Sequence, residues 1–197
     1  MKRIMLSIAA TAILALPAAG KAATWNIDPD HSSVAFKVRH MMVSNVKGEF
    51  GKFKGMLVLD DQDLSRSRVD VTIDCASVNT GVVKRDDDLR SDHFLDVAHY
   101  PTMTFVSRKV AKAGNGKLLV TGDLTLHGVT REVVLDVEGP SGEAKDPWGN
   151  FRRGASATAQ ISRKDFGLTW NKAIETGGVM VGDEVAISIE IEMVKGK

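Results

Sequence analysis

The sequence contains a single cysteine, Cys75, among its 197 residues. One thiol cannot form a disulfide within the chain, so the fold depends on a hydrophobic core instead. A chain of about 175 residues buries enough apolar surface for such a core. Cys75 comes near the end of a predicted strand, where it is expected to act as a small, partly buried apolar side chain. An intermolecular disulfide or a reactive thiol stays open at this position.

The sequence also lacks an apolar run long enough to cross a bilayer, which needs about 20 residues. The nearest candidate, residues 4–16, follows Lys2 and Arg3 and precedes Pro17 and several small residues. A basic start, a short apolar segment and a small-residue end are typical of a secretory signal peptide. We therefore predict a cleaved signal peptide over residues 1–22 and no stable membrane insertion.

No charge of one sign dominates the chain. The full sequence carries 26 basic and 25 acidic residues, and loss of Lys2, Arg3 and Lys21 with the leader changes the net charge from +1 to −2. A nucleic-acid-binding surface normally carries a basic excess, so no nucleic acid partner is expected. The remaining residues, 23–197, are predicted to form one periplasmic domain.

Local motifs for catalysis or metal binding are missing as well. The sequence has neither a Gly-x-Ser-x-Gly elbow nor a phosphate-binding loop. Its five histidines lack the roughly two- to four-residue spacing of paired metal ligands, and no second cysteine is present to help them. The acidic run at residues 86–88 lacks the glycine and the closing glutamate of a calcium loop. We expect no metal, no cofactor and no enzymatic activity.

What the sequence has in abundance is alternation of apolar and polar residues. Val185, Ile187, Ile189 and Ile191 alternate with smaller or polar residues. Successive residues of a strand point to opposite faces, so this segment predicts a strand with one buried face. Comparable segments recur along the chain, at residues 34–38, 69–73, 103–105, 118–126, 133–137 and 155–161. About eight such strands in one chain predict a closed antiparallel barrel.

One segment breaks the alternation. Residues 84–95 are dense in charge and place Leu89 and His93 four positions apart, as on one face of a helix. We predict a short helix here, lying across one end of the sheet.

Three alanines on one face of a predicted strand also stand out. Ala155, Ala157 and Ala159 occupy positions where strands usually carry β-branched or aromatic side chains. Small inward residues leave space inside a barrel, unless an aromatic ring from a neighbouring strand covers them. Both interpretations stay open at this point.

Several short motifs follow one another along the chain in a characteristic order. They are Trp-Asn-Ile-Asp at 25–28, Phe-Lys-Val-Arg-His at 36–40, Arg-Ser-Asp-His-Phe at 90–94, Gly-Asp-Leu-Thr-Leu-His-Gly at 122–128 and Ser-Arg-Lys-Asp-Phe-Gly-Leu at 162–168. In order and spacing the chain resembles the YceI-like family, secreted polyisoprenoid-binding proteins with a lipocalin-like barrel.

The resemblance implies an all-β fold, an extended eight-stranded antiparallel lipocalin-like barrel with a short helix near one end. It implies an apolar interior that holds a polyisoprenoid, such as an isoprenoid quinone, or a similar long-chain amphiphile. It implies neither catalysis nor a metal. The role of binding, whether transport, storage or stress protection, is not specified by the sequence.

The family offers no compact ligand motif, so the candidate ligand contacts are assigned from inward strand positions. They are Phe36, Val38, Met103, Phe105, Leu124, Leu126, Ala157, Ala159 and Phe166, with Trp170 closing one end. Three arginines near predicted loops, Arg39, Arg90 and Arg163, are candidates for an anionic headgroup, because guanidinium groups match phosphate oxygens.

Two other functions stay open. An enzyme acting on a lipid or sugar in the same cavity requires an inward histidine or carboxylate beside a second polar group. A surface-interaction protein requires a fully packed barrel. A homodimer also stays open, because an unpaired strand edge can be closed by a partner copy or by the chain itself.

Overall fold

The structure, a computed structural model, describes residues 22–175 and 177–196. The predicted signal peptide, residues 1–22, lies outside this part except for Ala22. The described strands are β1 (Ala23–Ile27), β2 (Ser33–His40), β3 (Ser44–Phe50), β4 (Phe53–Leu59), β5 (Arg68–Asp74), β6 (Val78–Asn79), β7 (Thr102–Gly114), β8 (Lys117–Leu126), β9 (Val129–Glu138), β10 (Ala144–Lys145), β11 (Phe151–Ser162) and β12 (Val181–Lys195). The helix is α1 (Val83–Arg90), and 3-10 turns lie at Pro29–His31, Leu64–Arg66, Cys75–Ser77 and Arg163–Phe166.

Eight of these strands form a closed ring. The order around it is β1, β4, β5, β7, β8, β9, β11 and β12, and β12 returns to β1. Every pairing in the ring is antiparallel. The predicted eight-stranded antiparallel barrel with a short helix is therefore confirmed.

The last strand closes the ring. One edge of β12 pairs with β11 over residues 184–194. Its other edge pairs with β1 at residues 193–195 and with β2 from residue 190 back to residue 181. The β2–β3 hairpin thus extends the barrel wall beyond β1 and β4, and β6 adds to its outer edge.

The two ends of the barrel carry different segments. The helix end carries the β2–β3 loop (residues 41–43), the connection 75–101 that contains α1, the turn 127–128 and the segment 163–180. The far end carries the loops 60–67, 115–116 and 139–150. No helix among the described residues is long and apolar enough to span a membrane.

The helix is shorter than the sequence predicts. It ends at Arg90 rather than Leu95, because Ser91 takes an extended backbone with ψ of 176° and the chain turns away. Phe94 and Leu95 lie in that turn and are buried. The charge-rich pattern located the helix, but it did not show where the backbone leaves it.

Two inward glycines let aromatic rings lie against the barrel wall. Phe36 on β2 lies opposite Gly48 on β3, and its ring crosses the place that a Gly48 side chain would occupy. A Cβ on Gly122 of β8 would likewise lie 2.5 Å from Cζ of Phe105. The rings therefore lie over glycine backbone on the inner face of the wall.

A cluster of charges ties β11 to β12 and to two turns. The guanidinium of Arg152 lies 2.6 Å from Asp28, 2.9 Å from Asp146 and 2.5 Å from Glu192. Hydrogen bonds from Asn150 and Arg152 lower the pKa of Asp146 to about 2. Hydrogen bonds from Arg152, and then from His31, also lower the pKa of Asp28.

We expect the substitution Gly122→Ala to lower the free energy of unfolding by about 1–3 kcal/mol, as overpacking does. The new Cβ meets the Phe105 ring and, at 2.6 Å, the backbone oxygen of Val106, which cannot rotate away. Urea denaturation measures the change. Gly142→Ala is the matched control, because nothing lies within 4 Å of a Cβ there. Equal stabilities of the two variants would contradict this packing argument.

The Arg152 cluster predicts acid sensitivity. Asp146 and Asp28 have lower pKa values folded than their ordinary value of 3.8, so the folded state binds fewer protons. Their stabilising contribution is present above pH 3.8 and is lost as the pH falls toward about 2. In Asp146→Asn the free energy of unfolding should fall less steeply over this range, measured by urea titration at each pH. Parallel slopes for both proteins would show that the cluster is not coupled to folding.

Candidate functional site

The interior of the barrel contains a cavity of about 280 Å³. Its wall is formed by inward side chains of the ring strands and of β2, together with residues of the helix end. Among the described residues that line it, only Ser156 and Arg163 are polar. Apolar cavities of this kind do not hold ordered water, so the space suits an apolar guest.

Seven of the ten predicted ligand contacts line this cavity. They are Phe36, Val38, Met103, Phe105, Leu124, Leu126 and Ala157. Each lies at an inward position of a strand, which is what the alternation of the sequence indicated. Their contact with a ligand stays a prediction, while their position on the cavity wall is observed.

The other three predicted contacts lie elsewhere. Ala159 packs against the core without lining the cavity. Phe166 is 1% exposed, buried in the core, and belongs to a 3-10 turn rather than a strand. Trp170 lies outside the cavity, where its ring packs on Phe94 and on His93 at 5.3 and 5.5 Å between centroids. Phe166 and Trp170 both follow the end of β11, so strand parity does not apply to them. The role of Trp170 in closing one end stays a prediction.

The alanines of β11 contribute to the vacancy. Ala155 and Ala157 line the cavity and lie opposite Ile191 and Ile189 of β12. A methyl group on β11 leaves space that a branched side chain would fill, so the interpretation as a cavity agrees with the structure at these two positions.

Sequence reasoning missed the part of the wall that does not come from strands. Leu89 of α1, Phe94 and Leu95 after it, and Leu168 line the cavity at the helix end. These residues lie in irregular segments, where no periodicity marks an inward face. The only available signal was the apolar pair 94–95 after a highly charged stretch.

The two ends of the cavity are closed differently. The apolar residues just named cover the helix end, and Trp170 packs behind Phe94. At the far end, Trp25 and Arg153 occupy the inward positions next to Ile27 and Ala155, which line the cavity.

Trp25 is fully buried, and Arg153 lies over its ring at 5.0 Å from the ring centroid. Arg153 also donates two hydrogen bonds to Asp61, at 2.6 and 2.9 Å. Lys195 lies 5.4 Å from the same ring and 2.8 Å from Glu143. Ion pairs therefore seal the far end, whereas apolar contacts cover the helix end.

Arg163 lines the cavity but has a structural set of partners. Its side chain is 5% exposed and donates to the carbonyl oxygens of residues 168, 170, 181 and 182, and to the carboxylate of Asp183. Burial lowers the pKa of the guanidinium, which nevertheless stays charged because its ordinary pKa is far above neutrality. All five of its N–H groups are engaged, so it offers no donor to a headgroup.

The other two predicted headgroup arginines also have protein partners. Arg39 is exposed and donates to the carbonyl oxygen of Met42 at 2.9 Å. Arg90 donates to the carbonyl oxygens of Ala76 and Val78, both at 2.8 Å, and pairs with Asp87. Neither lines the cavity, so a headgroup role for the two stays a prediction.

A reactive thiol and a metal site are the two other kinds of chemistry to consider. Cys75 is 1% exposed, and burial, with the nearby Asp74 carboxylate, raises the pKa of its thiol to about 11. A thiol with that pKa is protonated and inert at neutral pH.

Asp28, His31 and Glu192 bring three possible metal-ligand atoms within 4.8 Å of one another. The Arg152 guanidinium already neutralises both carboxylates, so this cluster functions as an ion-pair network.

Comparisons with known proteins agree with this architecture. The family model for the YceI-like domain matches residues 25–193. A UPF0312 protein of Vibrio cholerae is 39% identical over 170 residues, covering 85% of this chain and 89% of that protein. The crystal structure of the Campylobacter jejuni YCEI protein superposes with a TM-score of 0.69 at 36% identity, covering 82% of this chain and 91% of that one.

A more distant structure shares the fold. A polyisoprenoid binding domain from Saccharophagus degradans, implicated in plant cell wall breakdown, is 19% identical with a TM-score of 0.63, covering 89% of this chain and 99% of that one. At this identity the likeness concerns the fold alone. The family match over nearly all of the described barrel, together with the Vibrio relative, shows that the chain belongs to the YceI-like domain family.

Proposed function

We propose that this protein binds one long-chain lipid, a polyisoprenoid or a similar amphiphile, inside its barrel. The observation that carries the proposal is the apolar cavity of about 280 Å³. Its volume is close to the lower end of the roughly 300–1,000 Å³ of small-molecule sites. A single extended hydrocarbon chain suits such a narrow space, and membership of the YceI-like family supports the same class of ligand.

Burial of hydrocarbon supplies enough free energy for this role. Each methylene group removed from water contributes about 0.8 kcal/mol, so ten of them contribute roughly 8 kcal/mol. Association costs reduce this sum, and longer chains that bury more groups offset the reduction. Binding in the micromolar range, about −8 kcal/mol, therefore needs few polar contacts. Selectivity comes from the length and width of the cavity.

The cavity wall favours binding over catalysis. None of the described residues that line it is a histidine, a cysteine or a carboxylate. Its two polar residues are Ser156 and Arg163, and the latter has every N–H group engaged. The vacancy itself argues against a barrel that is packed solid and works only through its outer surface.

We place this activity in the periplasm, because the sequence predicts a signal peptide over residues 1–22. There the barrel would shield the apolar part of its ligand from water during transport, storage or stress protection.

The direct test is extraction of the protein, purified without detergent, into organic solvent, followed by mass spectrometry of the extract. We expect one long-chain lipid class, in about equimolar amount to the protein, because an enclosed apolar site releases its guest slowly. Protein from which lipid has been stripped should rebind an isoprenoid quinone, measured by quenching of tryptophan fluorescence. The proposal is refuted if no preparation contains co-purified lipid and stripped protein does not rebind the quinone.

We expect the variant Ala157→Phe to lose most of its lipid binding and keep its fold. The new ring projects into the cavity and occupies space that the ligand needs. Thr158→Phe is the matched control, because the neighbouring side chain is exposed on the outer face of the same strand. Quinone titration and urea denaturation are measured for both variants. Unchanged binding by Ala157→Phe would place the ligand elsewhere.

A further inference from the structure

Exposed apolar side chains concentrate at two loops of the helix end. In the β2–β3 loop, Met41, Met42 and Val43 are 40%, 50% and 76% exposed. Val82 and Val83, at the start of α1, are 47% and 75% exposed. Residues 41–43 form the hairpin tip.

The two loops extend beyond the same part of the wall. β3 runs away from the hairpin tip, and β6 pairs with it in the antiparallel sense, with Val78 opposite Phe50. The chain therefore runs from Val78 back toward the tip before it reaches Val82 and Val83. Val38, three residues before the tip, lines the cavity. The hairpin tip therefore adjoins the cavity wall along the chain.

The hairpin tip is held in a conformation that costs stability. Met41 and Met42 both have positive φ, 47° and 60°, which is unfavourable for residues with a side chain. Hairpin positions of this kind usually carry Asn and Gly. Val82 is also unfavourable for stability, because it occupies the N-cap of α1 and its side chain cannot accept a capping hydrogen bond. Strain retained at exposed apolar residues indicates a use for them.

The hairpin also carries an unfavourable charge arrangement on its outer face. Lys37 of β2 lies directly opposite Lys47 of β3, and Arg39 lies between Lys37 and the tip. Like charges directly opposite each other destabilise a sheet. None of the three forms an ion pair with a carboxylate of the described residues, although Glu49 lies two positions from Lys47 on the same strand. An external anion would relieve this repulsion.

We propose that the hairpin tip and the adjacent Val82–Val83 loop dock on a bilayer that contains anionic phospholipid, so that lipid enters the cavity at the helix end. The methionine and valine side chains insert among the acyl chains, and Lys37, Arg39 and Lys47 contact lipid phosphates. The far end is sealed by ion pairs, whereas the helix end is covered around Leu89, Phe94 and Leu95 by apolar side chains, beside the Arg163 network. This inference rests on the proposed lipid binding and adds the surface from which the lipid comes.

The test is co-sedimentation of the purified protein with vesicles of phosphatidylethanolamine and phosphatidylglycerol. We expect the double variant Met42→Ser, Val43→Ser to partition about tenfold more weakly, because two apolar side chains no longer enter the bilayer. Trp148→Ser is the matched control: Trp148 is 81% exposed but lies at the far end. Wild-type protein that does not sediment, or a larger loss with Trp148→Ser than with the tip variant, would overturn the proposal.

The charge contribution is tested with Lys37→Gln, Lys47→Gln. This variant should bind the anionic vesicles roughly tenfold more weakly and lose the difference between anionic and phosphatidylcholine vesicles, since each basic residue near an anionic surface contributes appreciably. Lys109→Gln, Lys112→Gln is the control, because these exposed lysines lie on β7 toward the far end. If the two double variants lose equal amounts of vesicle binding, the electrostatic attraction is not specific to the hairpin and the proposed phosphate contacts are wrong.

A third variant separates docking from folding. Met41→Asn, Met42→Gly supplies the residues that positive φ favours, so we expect Tm to rise by roughly 5 °C while vesicle binding falls. If the methionines served only the fold, the more stable variant would bind vesicles as well as the wild type or better. That outcome would contradict the proposal.

Quinone titration in solution distinguishes failure of docking from failure of lipid binding. The tip variants should bind a short-chain isoprenoid quinone like the wild type, and Ala157→Phe should sediment with vesicles like the wild type. Absence of quinone binding in every protein would refute the proposed function, whereas normal quinone binding without vesicle binding would refute the docking surface alone.

Discussion

The structure depends on closure of the sheet along β12, which pairs with β11 on one edge and with β1 and β2 on the other. Closure gives every ring strand two hydrogen-bonded neighbours, so the wall stands without support from a filled interior. An open sheet would have to collapse onto a second layer to bury its apolar face. A closed one keeps that face dry even where small residues such as Ala157 leave it unfilled.

The two ends of the barrel are closed by different kinds of contact. Ion pairs of the largely buried Arg152 and Arg153 hold the far end, where separating the partners would leave the two guanidinium groups without compensation. Apolar side chains from α1 and the following turn cover the helix end, and these contacts have no strict geometry. Such contacts re-form around a guest without an electrostatic cost. The asymmetry agrees with the proposed entry of lipid at the helix end.

The arginines show a limit of reasoning from residue type alone, because the fold decides which of them are free to meet a ligand. A guanidinium near a predicted loop suits a phosphate, and on that ground Arg163 resembled Arg39. The structure uses Arg163 to satisfy four carbonyl oxygens of the segments around residues 168–182, where backbone leaves the sheet and loses its ladder partners. Arg39 remains on the surface beside the hairpin tip. No pattern in the sequence separates the two, because the carbonyl groups that capture Arg163 come from residues up to 19 positions away.

The sequence by itself determined most of the strands and their inward faces, because a period of two is a local property that burial of one face imposes on each segment. The count of eight came from the resemblance, and only the structure shows that β1 and β4 belong to the ring while β2 pairs with β12 beyond it. The alternation located seven of the residues that line the cavity. Only the tertiary structure decided that space remains between them, that Phe166 and Trp170 lie outside it, and which end is sealed by charge. The volume of the cavity is the volume enclosed by the ring minus the volume of the inward side chains. Those side chains come from strands far apart in sequence, such as β2, β8 and β11. Irregular segments at the ends follow no period, so their contacts are set by the barrel onto which they pack.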